Sequence, residues 1–224
     1  MCRYGARAPF RSGHSLNTDD NRRHGNFRKA FPLCFAPHLK RINYSMQPHS
    51  ILHFWFTELT PKQHYAKDAV LDEAIRTRFG DTLEATARCE LFAWRTTPEG
   101  RLAEILVLDQ FSRNVYRDSP RAFAQDALAL ALAQELVASG QDRRLPLAQR
   151  SFAYMPYMHS ESSLVHAQAI ALFAQPGMED TLRFELHHKE IIDRFGRYPH
   201  RNAILGREST PEELAFLSEP GSSF

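Results

Sequence analysis

The chain has 224 residues, of which 43% are hydrophobic and 24% charged, an ordinary composition for a globular protein that buries a core. No run of eighteen apolar residues occurs, which excludes a membrane-spanning helix of the usual kind. The three cysteines, Cys2, Cys34 and Cys89, are too few and too scattered for a disulfide framework or a zinc ligand set. We therefore expect a soluble protein of a reducing compartment, the cytoplasm.

The net charge of +2 conceals two parts of opposite sign. Residues 1–45 carry nine Lys/Arg and two Asp, or +7, whereas residues 46–224 carry 19 basic and 24 acidic residues, or −5. The first part lacks a helical or strand period, so we expect a disordered basic extension. It superficially resembles a mitochondrial transit peptide, but the simpler hypothesis is that translation begins at Met46. Because the larger part is acidic, nucleic-acid binding is not expected.

Proline and glycine divide the acidic part into predicted helices. Residues 51–56 (ILHFWF) form a short apolar helix that we expect to be buried in the core. Thr60-Pro61 is an N-cap with proline at the first helical position, and we expect Gly80 to end the helix that it opens. Residues 82–95 form the next predicted helix.

The same signals bound the later helices, which we predict over residues 99–115, 120–139, 160–175 and 178–195. Gly140 and Gly196 end two of them. Pro146 opens a short helix that we expect Pro156 to interrupt. Residues 210–213 (TPEE) form a capping box at the start of the last helix.

No segment alternates polar and apolar residues in the manner of a strand. About eight helices joined by short turns should pack as antiparallel hairpins, so residues 46–224 are predicted to form a single all-α domain. No internal repeat is visible, and the sequence therefore does not predict a regular solenoid.

Polar side chains occur where two of these helices should present apolar ones. On residues 99–115, the stripe set by Leu102 and Leu106 continues at Asp109. A second apolar stripe covers another side, so the polar residues that follow cannot all be freely solvated: Asp109, Gln110, Arg113 and Asn114. His188 similarly lies in a stripe on residues 178–195 that we expect to face the core, together with Phe184, Ile191 and Phe195. An unpaired buried polar group costs about 1–3 kcal/mol, so these positions predict an internal network or a ligand site.

Three motifs resemble the signatures of a bacterial family known as "domain of unknown function 924". They are LDQFSRN (residues 108–114), MPYMHSES (155–162) and HKEIIDRFGRYPHRNAILGRES (188–209). The resemblance covers about residues 51–214 and implies a fold similar to tetratricopeptide-type helical superhelices, but no reaction. Ser112 departs from the proline that the family pattern leads us to expect, which affects no polar candidate.

The segment 196–207 (GRYPHRNAILGR) belongs to the densest basic cluster of the acidic part. Its guanidinium groups are planar forks suited to carboxylate or phosphate: Arg194, Arg197, Arg201 and Arg207. One interpretation is an anion pocket closed by this segment. The alternative is that the arginines tie the segment down by pairing with Asp109, Glu161, Glu190 and Asp193.

His159 precedes Ser160 and Glu161 at a predicted helix start. Ser160 is a natural N-cap, whereas His159 has the chemistry of a general acid or base that Glu161 orients. Glu185-x-x-His188 has the spacing of one half of a di-iron site, but the second half is missing, so we expect no metal. No phosphate loop or dinucleotide motif occurs, so no cofactor is expected. Cys89 is interpreted as a core residue.

We therefore hypothesise a pocket between helices that binds a small anionic ligand, and that acts on it if a histidine moves protons there. The catalytic candidates are His159 and His200. The ligand-binding candidates are Asp109, Arg113, Asn114, Glu161, His188, Arg194, Arg201 and Asn202. The alternative hypothesis is a tetratricopeptide-like module that presents a groove to a protein partner. No membrane partner is expected under either hypothesis.

Overall fold

The computed structural model describes residues 46–222. The expectations about the extension, residues 1–45, lie outside the described residues. Within residues 46–222 the regular secondary structure is helical and no strand occurs, so the predicted all-α class is confirmed. None of the helices in this range combines the length and apolar character that crossing a membrane requires.

The α-helices of the described part are α1 (Pro48–His53), α2 (Ala69–Ala87), α3 (Pro98–Leu106), α4 (Ser112–Val115), α5 (Asp126–Ala138), α6 (Leu147–Met158), α7 (Ser163–Phe173), α8 (Glu179–Phe195), α9 (Asn202–Leu205) and α10 (Pro211–Leu217). Two π-helical turns lie at Phe54–Glu58 and Val107–Phe111. Short 3-10 helices lie at Gln63–Tyr65, Phe92–Thr96, Pro120–Phe123, Gln141–Arg144 and Pro199–Arg201.

Several predicted helix ends are confirmed. Gly140 and Gly196 follow α5 and α8 in the left-handed conformation, with φ of 67° and 70°, which glycine adopts without steric cost. The capping box at α10 is present, because the Thr210 hydroxyl accepts from the Glu213 amide and the Glu213 carboxylate accepts from the Thr210 amide.

The prediction for α2 is wrong at both ends. The helix begins at Ala69 rather than after Thr60, because the Asp68 carboxylate accepts from the amides of Val70 and Leu71. It then runs through Gly80 to Ala87, so no separate helix begins at residue 82. A glycine costs an exposed helix about 1 kcal/mol, and the burial of Phe79 and Leu83 on either side outweighs that cost.

Four other local predictions are also wrong. Pro156 lies inside α6 and does not interrupt it. The N-cap position of α7 is Ser162 rather than Ser160. Cys89 is exposed, with φ of 58°, because it follows the end of α2 instead of continuing it. Phe184 is 61% exposed, although the stripe of α8 that contains it also contains the buried His188.

The core surrounds α3 and its continuation. Leu102, Ile105, Leu106, Val107 and Leu108 have no exposed surface. Helix α3 packs against α1, α5 and α6, and α5, α6, α7 and α8 pack in chain order, each on the next. Because neighbours cover α3 on several sides, the polar residues that follow it are carried into the interior.

We predict that the substitution Asp68→Ala lowers the free energy of unfolding by about 1 kcal/mol, because α2 loses its N-cap. Asp68→Asn retains an oxygen acceptor and should lose only a small part of that stability. Urea unfolding followed by circular dichroism measures both. Equal losses in the two variants would contradict the capping role.

Candidate functional site

A buried carboxylate forms the centre of the candidate site. Asp109 lies in the π-helical turn between α3 and α4 and is only 1% exposed. Its Oδ1 is 2.7 Å from His159 Nδ1 and 3.2 Å from Arg113 Nη1, and its Oδ2 accepts from Gln110 Nε2 at 2.6 Å. Burial alone would raise the pKa of Asp109, but Arg113, His159 and the hydrogen bonds lower it below its ordinary value. Asp109 is therefore ionised.

His159 follows the last turn of α6 and reaches Asp109 from the other side. Burial and then the positive charge of Arg113 lower the pKa of His159, and the opposing effect of Asp109 is smaller. The ring is therefore neutral at pH 7, and Nδ1–H donates to the Asp109 carboxylate. Nε2 then carries a lone pair, and it makes no hydrogen bond to any residue of the described part. This atom can accept a proton.

Asp126, the first residue of α5, joins two arginines. Arg113 donates from Nη1 and Nη2 to the two oxygens of Asp126, at 2.8 and 3.0 Å. Arg201 Nη1 approaches the same carboxylate at 3.4 Å. The Asp126 and Arg113 side chains are 19% and 21% exposed, so the cluster has access to solvent on their side.

Arg201 is the least compensated charge in this cluster. The residue is 5% exposed, and its guanidinium carbon lies 4.7 Å from the Phe123 ring centre and 4.5 Å from the Tyr198 ring centre. Its Nε is buried and has no hydrogen-bond partner within residues 46–222. Burial, and then repulsion by Arg113, lowers the pKa of Arg201. The folded protein therefore holds a guanidinium group at an energetic cost.

The two other candidate histidines lie beside Tyr198. The His200 ring centre is 5.5 Å from that of Tyr198, and burial followed by the charge of Arg201 lowers the pKa of His200 to about 4. The His188 ring lies 5.8 Å from Tyr198, and its Nδ1–H donates to the Phe184 carbonyl at 2.7 Å. Burial lowers the pKa of His188 to about 3. Both rings are neutral at pH 7.

Glu161 holds the segment 196–207 in place. Its carboxylate accepts from Arg207 Nη1 and Nη2 at 2.6 and 2.9 Å and from the Tyr198 amide at 2.8 Å. Arg197 similarly donates to Glu213 at 2.6 and 2.8 Å. The interpretation in which arginines tie the segment down therefore applies to Arg197 and Arg207, whereas Arg201 is turned toward Asp126.

Three candidate residues lie outside the cluster, which corrects the prediction that all ten converge. Asn114 donates to Asp72 at 2.8 Å, because one residue along a helix turns it away from its neighbour Arg113. Arg194 lies on the exposed side of α8 and pairs with Glu212 at 3.0 Å. Asn202 donates to Ser209 Oγ at 3.0 Å and belongs to the contacts that hold α9.

A second buried network includes the carbonyl of Ser160, the residue that follows His159. His166 Nδ1 is 2.7 Å from Glu185 Oε1, and His166 Nε2 donates to the Ser160 carbonyl at 2.9 Å. Both side chains are completely buried. Glu185, whose spacing from His188 resembles half of a di-iron motif, is thus paired with a histidine of α7. No metal-binding group of three or more His, Cys, Asp or Glu occurs within residues 46–222.

A cavity of about 630 Å³ lies elsewhere, and none of its lining residues belongs to the cluster. It is bordered by the end of α5 and by α6 and α7, with Asp142, Tyr154 and Gln175 in its wall. Tyr154 donates to Asp142 at 2.5 Å, so the buried carboxylate in this wall already has a partner. No motif in the sequence predicts this cavity.

The comparisons with known proteins agree with this fold. The chain belongs to the family described as "Bacterial protein of unknown function (DUF924)", whose model matches residues 51–221. It is similar to the solved structure of the protein of unknown function ATU0120 from Agrobacterium tumefaciens, with 38% identity and a TM-score of 0.73. That similarity covers 76% of this chain and 96% of the other. A comparison with curated proteins finds no match.

Because His188 is buried and neutral, we predict that the folded protein loses stability in acid. Its pKa is about 3 in the folded protein and 6.5 ordinarily, so its contribution is complete above pH 6.5. As the pH falls toward 3, the unfolded chain takes up a proton that the folded chain does not, which costs about 1.4 kcal/mol per pH unit.

We expect His188→Asn, which keeps a donor for the Phe184 carbonyl, to reduce the slope of unfolding free energy between pH 6 and 4 by about that amount. Urea titrations at several pH values measure the slope. His187→Asn, on the exposed face of the same helix, is the matched control and should keep the slope of the unsubstituted protein. An unchanged slope in His188→Asn would show that this ring is protonated in the folded state.

Proposed function

We propose that the cluster around Asp109, His159, Asp126 and Arg201 is a small-molecule site that binds an anionic ligand. The observation that carries this proposal is Arg201, a guanidinium group that is 5% exposed and has a buried Nε without a partner in the described residues. A buried charge that lacks full hydrogen bonding destabilises a folded protein. Such a group persists where it serves a binding function, at some cost in stability.

Asp126 does not satisfy the hydrogen bonding of both arginines. It gives Arg113 two short hydrogen bonds, and Arg201 only one contact at 3.4 Å. Arg113 also contacts Asp109, so its positive charge is already matched. An anion beside Arg201 would supply the missing partner, and this supports a ligand of negative charge.

The pair of His159 and Asp109 gives the site the chemistry of a general base. An ionised carboxylate that accepts from Nδ1 fixes the tautomer and leaves the Nε2 lone pair toward the outside of the pair. We propose that Nε2 accepts a proton or a hydrogen bond from the ligand. His200, neutral and adjacent to Arg201, is the second candidate for this role.

Anion binding is tested by isothermal titration calorimetry with acetate, benzoate, succinate and inorganic phosphate, and with benzamide as the uncharged control. We expect at least one anion to bind, and Arg201→Gln to weaken it by about tenfold or more, because a buried charged hydrogen bond is lost. Arg183→Gln removes an exposed arginine that pairs with Asp180, and it should leave binding unchanged.

Stability measurements accompany this titration. Because Arg201 is poorly compensated, Arg201→Gln should unfold at the same temperature as the unsubstituted protein or at a higher one. Anions that bind both variants equally would refute a site at Arg201.

The tautomer of His159 is a separate prediction. Long-range ¹H–¹⁵N NMR at pH 7, with the resonance assigned from His159→Gln, should show a neutral ring protonated at Nδ1. A ring protonated at Nε2, or at both nitrogens, would contradict the proposed general base. The result does not depend on knowing the ligand.

A groove for a protein partner remains the alternative. Large exposed apolar side chains occur on several elements, including Val70 on α2 and Leu164 on α7. This alternative predicts binding that does not change in Arg201→Gln.

A further inference from the structure

We infer that the ligand presents a planar, singly charged carboxylate to Arg201. This inference rests on the proposed anion site and names the chemical class of its ligand. Two properties of Arg201 support it: the directions from which its guanidinium group is accessible, and the charge that surrounds it.

Aromatic rings restrict the approach to Arg201. Phe123 and Tyr198 lie 4.7 and 4.5 Å from its guanidinium carbon, a distance typical of rings that stack on a guanidinium group. A ligand that approached Arg201 from the side of either ring would have to displace that ring. New hydrogen bonds to Arg201 form in the plane of the group, because all of its N–H donors lie in that plane.

One edge of that plane is already used. Nη1 approaches Asp126 at 3.4 Å. The edge formed by Nε and Nη2 donates no hydrogen bond to any residue of the described part, and Nε there is buried. These two N–H groups point in parallel, at the spacing of the two oxygens of a carboxylate. A carboxylate in the guanidinium plane satisfies both, whereas a tetrahedral oxyanion places its remaining oxygens above or below the plane, near the rings.

The surrounding charge limits the ligand to one negative charge. Arg113 and Arg201 contribute two positive charges, and Asp109 and Asp126 contribute two negative ones. His159 is neutral at pH 7, so the cluster is balanced before a ligand arrives. A single negative charge can share Arg201 with Asp126. A phosphate dianion would give this largely buried cluster a net charge of −2, against −1 for a monoanion, and the second charge makes burial much less favourable.

Arg113 offers no second fork for a dianion. Its Nη1 and Nη2 are committed to Asp126, and Nη1 also donates to the Asp109 carbonyl at 2.8 Å. Phosphate sites usually gather several donors around the three terminal oxygens. The donors left unused by the described residues at Arg201 suit two oxygens rather than three.

Three ligands with the same phenyl group separate shape from charge. Benzoate is planar and singly charged, benzenesulfonate is tetrahedral and singly charged, and phenylphosphonate is tetrahedral with a charge between one and two at neutral pH. Isothermal titration calorimetry at pH 7.5 gives Kd for each, and acetate, methanesulfonate and methylphosphonate repeat the series without the ring. We expect the carboxylate to bind about tenfold or more tightly than either tetrahedral anion in at least one series.

Two variants locate the effect at Arg201. Arg201→Lys keeps the charge but loses the fork, so it should weaken carboxylate binding about tenfold or more and reduce the preference over sulfonate. Arg183→Lys is the matched exposed control and should change neither value. Circular dichroism and the unfolding midpoint establish that each variant is folded, and the comparison of ligands in the unsubstituted protein stands without them.

The outcomes distinguish the two proposals. Sulfonate or phosphonate binding that equals or exceeds carboxylate binding, and that is lost in Arg201→Lys and Arg201→Gln, overturns the carboxylate inference and leaves the anion site standing. Binding that neither substitution changes, or no binding of any member at 50 mM (roughly the limit of a meaningful Kd), overturns both.

Discussion

The arrangement of the candidate site depends on the burial of one carboxylate. Asp109 is carried inward because α3 packs against α1, α5 and α6 and continues without a break into α4. An ionised carboxylate in such a place is stable only if charged or hydrogen-bonding groups surround it. Gln110, Arg113 and His159 meet that requirement, and His159 must come from the end of α6 to do so. Removing the charged partner of a buried carboxylate, here Arg113, typically costs about 3–5 kcal/mol. The hydrogen bond from His159 holds the π-helical turn at Val107–Phe111 to the end of α6.

The groups that pair with Asp109 determine which hydrogen-bond donors of the cluster are left without a close acceptor among the described residues. Arg113 pairs with both Asp109 and Asp126. Because Asp126 accepts two short hydrogen bonds from Arg113, it has little hydrogen-bonding capacity left for Arg201. The segment 196–207 is held by other pairs, Glu161 with Arg207 and Glu213 with Arg197, so Arg201 is not needed to anchor it. A poorly compensated arginine lowers the stability of the folded protein. Its position on a firmly anchored segment favours the proposed anion binding. This division of roles among four arginines is the strongest argument that the cluster is more than a structural network.

Helical periodicity could predict part of this site. The stripe set by Leu102 and Leu106 places Asp109 inward, and the Arg-rich segment at 196–207 stands out by composition alone. Asp126 could not be found in this way, because an acidic residue in the first turn of a helix is favoured by the helix dipole wherever it occurs. Phe123 and Tyr198 likewise look like ordinary core aromatics. The property that makes these three residues relevant is their contact with Arg201, and for Asp126 and Phe123 that contact joins segments at least 75 positions apart in the chain.

Because of the π-helical turn at Val107–Phe111, regular helical periodicity does not predict every side-chain direction in this part of the chain. A π turn inserts an extra residue into the helical repeat, so the phase of α4 is shifted relative to α3. Asp109 and Gln110 are adjacent, yet both are buried and bonded to each other, while Asn114 faces Asp72 instead of the cluster. Such turns are frequent at functional sites because they turn a side chain to a direction that a regular α-helix does not offer. Here the turn aims Asp109 at His159 from a rigid, fully packed element. Arg201, in contrast, lies on the segment that follows α8. Asp126 and Arg113 join it to Asp109, and Glu161 and Tyr198 join that segment to the end of α6 beside His159.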